Sequence, residues 1–200
     1  MADLFPDSLP ASTPDDAPRE DAPLADRLRP RSLNEVVGQH HLTGPEGAIG
    51  RMVAAGRLSS MILWGPPGTG KTTIARLLAD SVGMRFESVS AVFSGVADLK
   101  KAFAAADQAA EAGQRTLLFV DEIHRFNRAQ QDGFLPFVER GTVTLVGATT
   151  ENPSFALNAA LLSRAQVLIL QRLDHEALGT LLDKAEELEG PLPLTAEARN

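Results

Sequence analysis

Five short apolar runs, separated by stretches whose apolar residues recur at helical spacing, divide most of the chain into an alternation of strands and helices. The first run, residues 60–64 (Ser-Met-Ile-Leu-Trp), leads to Ile74, Leu77, Leu78 and Val82, which share one helical face. Residues 86–90 alternate apolar and polar as a second strand, and the alanine-rich residues 99–112 follow as a helix closed by Gly113, with Leu99, Phe103 and Ala106 on one side. Residues 116–120 (Thr-Leu-Leu-Phe-Val) are almost unbroken in apolar character, as expected of a strand covered on both faces in a parallel sheet. Residues 142–148 and 166–170 supply a fourth and a fifth strand. Between these runs, residues 127–139 read as a helix interrupted by Pro136, and residues 154–164 as one further short helical segment. Residues 48–55 predict a short helix ahead of the first strand, with Ile49, Met52 and Val53 on one side. Beyond the fifth, Ala177, Leu178, Leu181, Leu182, Ala185 and Leu188 form an amphipathic stripe that Asp174 is placed to cap. Gly190, Pro191 and Pro193 break it, and Thr195 predicts the start of another helix. The pattern predicts an α/β fold: a doubly wound, parallel five-stranded sheet followed by the start of a helical lid.

Charge and composition divide the chain further. Residues 1–23 carry six acidic groups and one basic one among Pro, Ser and Ala, too few large apolar side chains to offset the entropy of ordering, and predict a disordered acidic tail. That leaves residues 24–171 as the folded core and 172–200 as the truncated start of the lid. Residues 23–39 read as an irregular segment, since Pro30 cannot continue a helix and Gly38 marks a turn, and Arg27, Arg29, Arg31 and, further on, Arg51 read as a solvated face. The net charge of −7 resides mostly in the tail, so it neither demands nor excludes a local basic patch for nucleic acid. Without a cysteine, a membrane-length apolar run or a signal-peptide pattern, a cytoplasmic location with no membrane partner is the default expectation. His40 and His41 are adjacent but have no other ligand type at metal-binding spacing.

Two motifs carry chemistry. Gly65-Pro66-Pro67-Gly68-Thr69-Gly70-Lys71-Thr72 fits G-x-x-x-x-G-K-[ST], the phosphate-cradling P-loop, with Thr73 following inside the helix. Glycines let backbone N–H groups approach phosphate oxygens, Lys71 supplies a point charge to the β- and γ-phosphates of ATP, and the Thr72 hydroxyl is a ligand for Mg²⁺. The apolar run at 116–120 delivers Asp121 and Glu122 about 50 residues after Lys71, the arrangement of a Walker B element. Asp121 is then the residue that holds Mg²⁺, partly through water, and Glu122 the one that polarises the attacking water. The fourth strand ends at Thr149 and Thr150, hydroxyls that either contact the water or γ-phosphate or satisfy loop backbone.

The stretches Gly65 to Thr72, Phe119-Val-Asp-Glu-Ile-His-Arg-Phe-Asn127, Gly147-Ala-Thr-Thr-Glu-Asn-Pro-Ser-Phe155 and Ala160-Leu-Leu-Ser-Arg164 together resemble the AAA+ ATPases of the replication-associated recombination protein A group. Clamp-loader subunits and the branch-migration motor RuvB are near relatives of that group. The resemblance implies an AAA+ core of the P-loop NTPase class, acting on DNA junctions, gaps or ends and located in the cytoplasm with the nucleoid. It implies that Thr150 is the sensor 1 residue, that Arg164 reaches a neighbouring subunit's γ-phosphate in trans, and that Val37, Gly38 and Gln39 wrap the adenine mostly through backbone. It also implies a homotetramer, with the sensor 2 arginine and an oligomerisation domain beyond Asn200. A single-strand-binding protein and a sliding clamp are further expected partners, the latter through Asp3-Leu4-Phe5. Three positions depart from clamp loaders: Ser90 stands where they carry a glutamate-switch asparagine, Ala165 replaces a cysteine after Ser163-Arg164, and Leu135-Pro136 occupies the place of a double arginine.

Other functions remain open on the residues. Val92-Phe93-Ser94-Gly95 lies where a protein unfoldase would carry an aromatic pore loop. A clamp-loader-type subunit is a second alternative, and a nucleotide-binding scaffold that never hydrolyses is disfavoured by Glu122.

Overall fold

The computed structural model describes residues 22–195. The tail and its Asp3-Leu4-Phe5 motif therefore lie outside the described residues, as does the helix expected after Thr195.

Five parallel strands, β1 (Met61–Trp64), β2 (Arg85–Ser90), β3 (Thr116–Asp121), β4 (Val143–Thr149) and β5 (Gln166–Ile169), form one sheet in the order β2-β3-β4-β1-β5. Ten α-helices surround it among the described residues: α1 (Leu24–Arg27), α2 (His40–Thr43), α3 (Ala48–Ala54), α4 (Lys71–Ser81), α5 (Val96–Glu111), α6 (Arg128–Asp132), α7 (Leu135–Glu139), α8 (Pro153–Ala156), α9 (Ala159–Leu162) and α10 (His175–Glu189). None of them is long and apolar enough to cross a membrane.

The continuous apolar character of β1 and β3 has a direct structural cause. Successive side chains of a strand point to opposite faces, and both faces are covered. Met61, Leu63, Leu117 and Phe119 join Ile49, Ile74 and Leu78 on one side; Ile62, Leu118 and Val120 join Leu99, Phe103, Phe134 and Leu161 on the other. A fully buried side chain of this size contributes about 1.5–3 kcal/mol, so the central strands anchor both layers at once.

Two helical expectations need correction. Residues 127–139 are not one helix interrupted by Pro136. The break falls at Gly133 and Phe134, while Pro136 sits in the first turn of α7, where its missing N–H breaks no intrahelical bond. Residues 154–164 are likewise two helices, because Asn158 turns its side chain to cap a new start by accepting from Leu161 N at 2.7 Å. Within the irregular leading segment, a 3₁₀ turn at Leu33–Glu35 precedes α2. Of the arginines expected on a solvated face, Arg29, Arg31 and Arg51 are exposed, and three have partners: Arg27 pairs with Glu189, Arg29 with Asp26 at 2.8 Å, and Arg51 donates to the Glu46 carbonyl. Asp174 caps α10 as expected, accepting from Ala177 N at 2.9 Å.

Candidate nucleotide site

All functional motifs but one converge on the carboxyl edge of the sheet. β1 runs into the Gly65–Thr72 loop, and Gly68 and Gly70 adopt left-handed backbone with φ of 76° and 87°, so the loop turns tightly and delivers Lys71 to the first residue of α4. Thr69 braces the turn by donating its hydroxyl to the Pro66 carbonyl at 2.9 Å. The Lys71 ammonium folds back over the loop and donates to the Gly65 and Pro66 carbonyls, both at 2.8 Å. Burial pushes this ammonium below the ordinary lysine range, while Glu122 and Asp121 pull it back up. Thr72 is exposed on the first turn of α4 and Thr73 half-buried beside it.

β4 separates β1 from β3, so its tip lies between the loop and the Asp121–Glu122 pair. The register sets Trp64 against Thr149, and Val120 against Gly147. Glu122 leaves the strand in left-handed backbone, φ 51° and ψ 45°, the one non-glycine residue with positive φ among the described residues. Its N–H donates to Asp121 Oδ1 at 3.1 Å. Glu122 Oε2 is buried and makes no hydrogen bond, with His124 Nδ1 at 3.2 Å from it.

The remaining residues expected at the site fall in distinct places. Thr150 is exposed at the end of β4, whereas Thr149, one residue earlier, is fully buried with its hydroxyl against His124 Nδ1 at 2.9 Å. Within Val37–Gln39, Gly38 lies beside Leu173 and Gln39 is buried and exchanges two hydrogen bonds with the Gln171 backbone, at 2.8 and 3.1 Å, while Val37 is half-buried. Arg164 is the motif residue that does not join the cluster. It precedes β5, whose register sets Gln166 against Met61, so Arg164 sits at the amino edge of the sheet, opposite its own P-loop. There it pairs with Glu139 at 2.7 Å.

Two polar residues not singled out from sequence also belong here. His124 lies under Glu122, and Gln131 is 2% exposed, donating to the Phe126 and Ala156 carbonyls and accepting from Asn158 N. Gln131 thus ties the segment after β3 to the one after β4. Mid-helix polarity in a short helix next to a charged motif gives no sequence signal of burial.

This arrangement fits a polyphosphate: a glycine-rich loop, a desolvated lysine, a helix amino terminus and two carboxylates facing one space. A family model, "ATPase family associated with various cellular activities (AAA)", matches residues 61–173. The chain belongs to the AAA family. Among its relatives, the replication-associated recombination protein A of Coxiella burnetii is 54% identical over 163 residues, covering 82% of this chain and 37% of that protein. ATPase WRNIP1 of Dictyostelium discoideum is 44% identical over 84% of this chain and 19% of its own length. The RuvB Holliday junction branch migration motor of Thermotoga maritima superposes with a TM-score of 0.65 at 30% identity, covering 80% of this chain and 54% of that one. The AAA chain described here therefore spans little more than a third of the first of these relatives.

Proposed function

We propose that this chain is the catalytic core of a DNA-dependent ATPase acting at replication forks and recombination intermediates, on single-strand/double-strand junctions, gaps or ends. The observation that carries the hydrolytic part is the Glu122 carboxylate beside Lys71, with one oxygen buried and making no hydrogen bond. ATP sits with its phosphates in the Gly65–Thr72 loop and its adenine against Val37–Gln39. Glu122 accepts a proton from a water as that water's oxygen bonds to the γ-phosphorus, the bond to the β,γ-bridging oxygen breaks and ADP leaves. Lys71 stabilises charge on the β- and γ-oxygens, and Thr150 fixes the water or the γ-phosphate. Mg²⁺, held by Thr72 and by Asp121 partly through water, would neutralise phosphate charge.

Arg164 serves a second copy of the chain. β5 puts four residues, about 13 Å at roughly 3.3 Å each, between Arg164 and the level of its own loop, so its contribution is to a neighbour's γ-phosphate. The full protein is on this reading a homotetramer, and a single-strand-binding protein and a sliding clamp are candidate partners. The DNA part of the proposal is supported by similarity to the recombination protein A relatives and to RuvB.

The test is the ATPase rate of the full-length protein across DNA ends, gaps and forks, with Glu122→Gln alongside. Stimulation by junction DNA with turnover lost in the variant is expected. Equal rates with and without DNA would overturn the DNA dependence, and full turnover in Glu122→Gln would overturn the base assignment. One observation favours a second reading: Phe93, in the loop between β2 and α5, is 90% exposed, as an unfoldase pore loop would require. Stimulation by an unfolded polypeptide instead of DNA would select it.

A further inference from the structure

AAA-type hydrolysis needs the catalytic carboxylate held in place, and no hydrogen bond joins Ser90 to Glu122 among the described residues. The side chain that does lie against Glu122 is His124. The 3₁₀ turn Ile123–Arg125 folds His124 back beneath Glu122, leaving its side chain only 5% exposed. Its Nδ1 lies 3.2 Å from Glu122 Oε2 and 2.9 Å from Thr149 Oγ1, and its Nε2 lies 3.3 Å from Glu151 Oε1. The Thr149 hydroxyl also accepts from the Glu151 N–H at 3.0 Å, so both ring nitrogens address the same three-residue stretch, 149–151, at and just past the tip of β4.

We propose that His124 is a positioning residue that closes one side of the Glu122 carboxylate, so that its other oxygen faces the attacking water in a direction set by the tip of β4. This rests on the reading of Glu122 as the base. The imidazole has two nitrogens with separate tasks. A carboxylate only accepts, so Nε2, 3.3 Å from Glu151 Oε1, is placed to donate to it, and Nδ1, 2.9 Å from the Thr149 hydroxyl, to accept. Nδ1 therefore offers Glu122 Oε2 no proton, in keeping with a buried carboxylate oxygen that lies 3.2 Å from an imidazole and makes no hydrogen bond, and the ring acts on Glu122 by closing that side of the carboxylate. Glu151, 60% exposed on the loop into α8, maintains the tautomer from the outside. A change in the β4 tip thus reaches the carboxylate through one side chain.

The geometry separates the two nitrogens experimentally. An asparagine amide reproduces the place of Nδ1, and a glutamine amide that of Nε2. In the full-length protein, His124→Asn is expected to keep single-turnover hydrolysis within a few-fold of wild type, while His124→Gln loses about 10- to 100-fold, the cost of a misplaced catalytic group. Nucleotide affinity, read by a fluorescent ATP analogue, is expected to stay unchanged in both. His124→Ala should match the glutamine variant. Because alanine leaves a cavity beside β4, the asparagine–glutamine comparison decides the matter at similar thermal stability. Equal rates in those two variants, or a more active glutamine variant, would overturn the proposal. Loss of affinity in step with rate would also overturn it. Failure of the base assignment itself is seen separately, as full turnover in Glu122→Gln.

Discussion

Lys71→Met isolates what the P-loop charge contributes. In the structure the ammonium is buried against two loop carbonyls at 2.8 Å, and on the proposed reading it turns from these to phosphate oxygens when nucleotide binds. Methionine keeps the length of the stem and removes every donor. A hydrogen bond to a charged group is worth about 1.5–3 kcal/mol, so losing two of them weakens binding by about 3–6 kcal/mol, beyond 100-fold. Nucleotide at 100 times the wild-type Kd stabilises the folded protein by about 2.7 kcal/mol, which for a chain of this size raises Tm by about 5–11 °C. With Kd raised 100-fold, the same concentration contributes about 0.4 kcal/mol, or roughly 1–2 °C. Differential scanning fluorimetry with and without ATP measures both shifts. A nucleotide shift of wild-type size in Lys71→Met would refute the placement of the phosphates. The pH dependence carries a second sign. Burial lowers the ammonium's pKa in the free protein, and bound phosphate favours the charged form, so binding takes up a proton above the free-state pKa. Affinity should fall as pH rises through that lowered pKa, before the ordinary lysine range is reached, and the methionine variant should show no such fall.

Arg164→Ala is expected to leave nucleotide affinity unchanged and to lower turnover of the assembled protein by about 10³-fold or more; equal loss of affinity and turnover in a filter-binding and ATPase comparison would contradict a role in trans. Its Tm should move little, since the half-exposed pair with Glu139 is worth at most about 1 kcal/mol. Phe134→Ala removes a fully buried ring packed edge-on to Phe103 at 5.5 Å, for an expected loss of about 3–5 kcal/mol by denaturant unfolding; a loss under 1 kcal/mol would show that the second core layer is not closed around it. Gly38→Ala places a Cβ 2.6 Å from Leu173 Cδ2 at a backbone φ of +74°, at a cost of about 1–3 kcal/mol, and should lower both Tm and ATP affinity in calorimetry.

The parts of the site that could be read from sequence are contiguous ones. Gly65 to Thr72 and Phe119 to Glu122 each carry their own chemistry within a few residues, and the strands were legible because burial on both faces leaves an unbroken apolar run. What could not be read depends on backbone turns or on residues far apart. His124 reaches Glu122 only because Glu122 takes left-handed backbone and a 3₁₀ turn follows; an ordinary helical continuation would aim the ring elsewhere. Gln39 and Gln171 are 132 residues apart and find each other through a strand order no local pattern encodes. Pro136 misled for a related reason: proline reads as a break, yet Gly133 and the following turn had already ended the helix, and the proline only begins the next one.

The segment that precedes the sheet has an unusual division of contacts. Leu33 and Val36 pack into the layer formed by α4 and the central strands. Its polar and backbone groups, in contrast, are joined to the other end of the chain: Arg27 to Glu189, the Glu35 carbonyl to Lys184, Gln39 to Gln171, and Gly38 in contact with Leu173 and Ala177. Apolar contacts tolerate small sliding, whereas paired hydrogen bonds such as those of Gln39 fix both distance and direction. Gln39 is therefore tied by directed bonds to the β5–α10 link. If adenine lies against Val37–Gln39 and phosphate in the loop after β1, the nucleotide bridges that link and the P-loop layer, and its length sets their spacing.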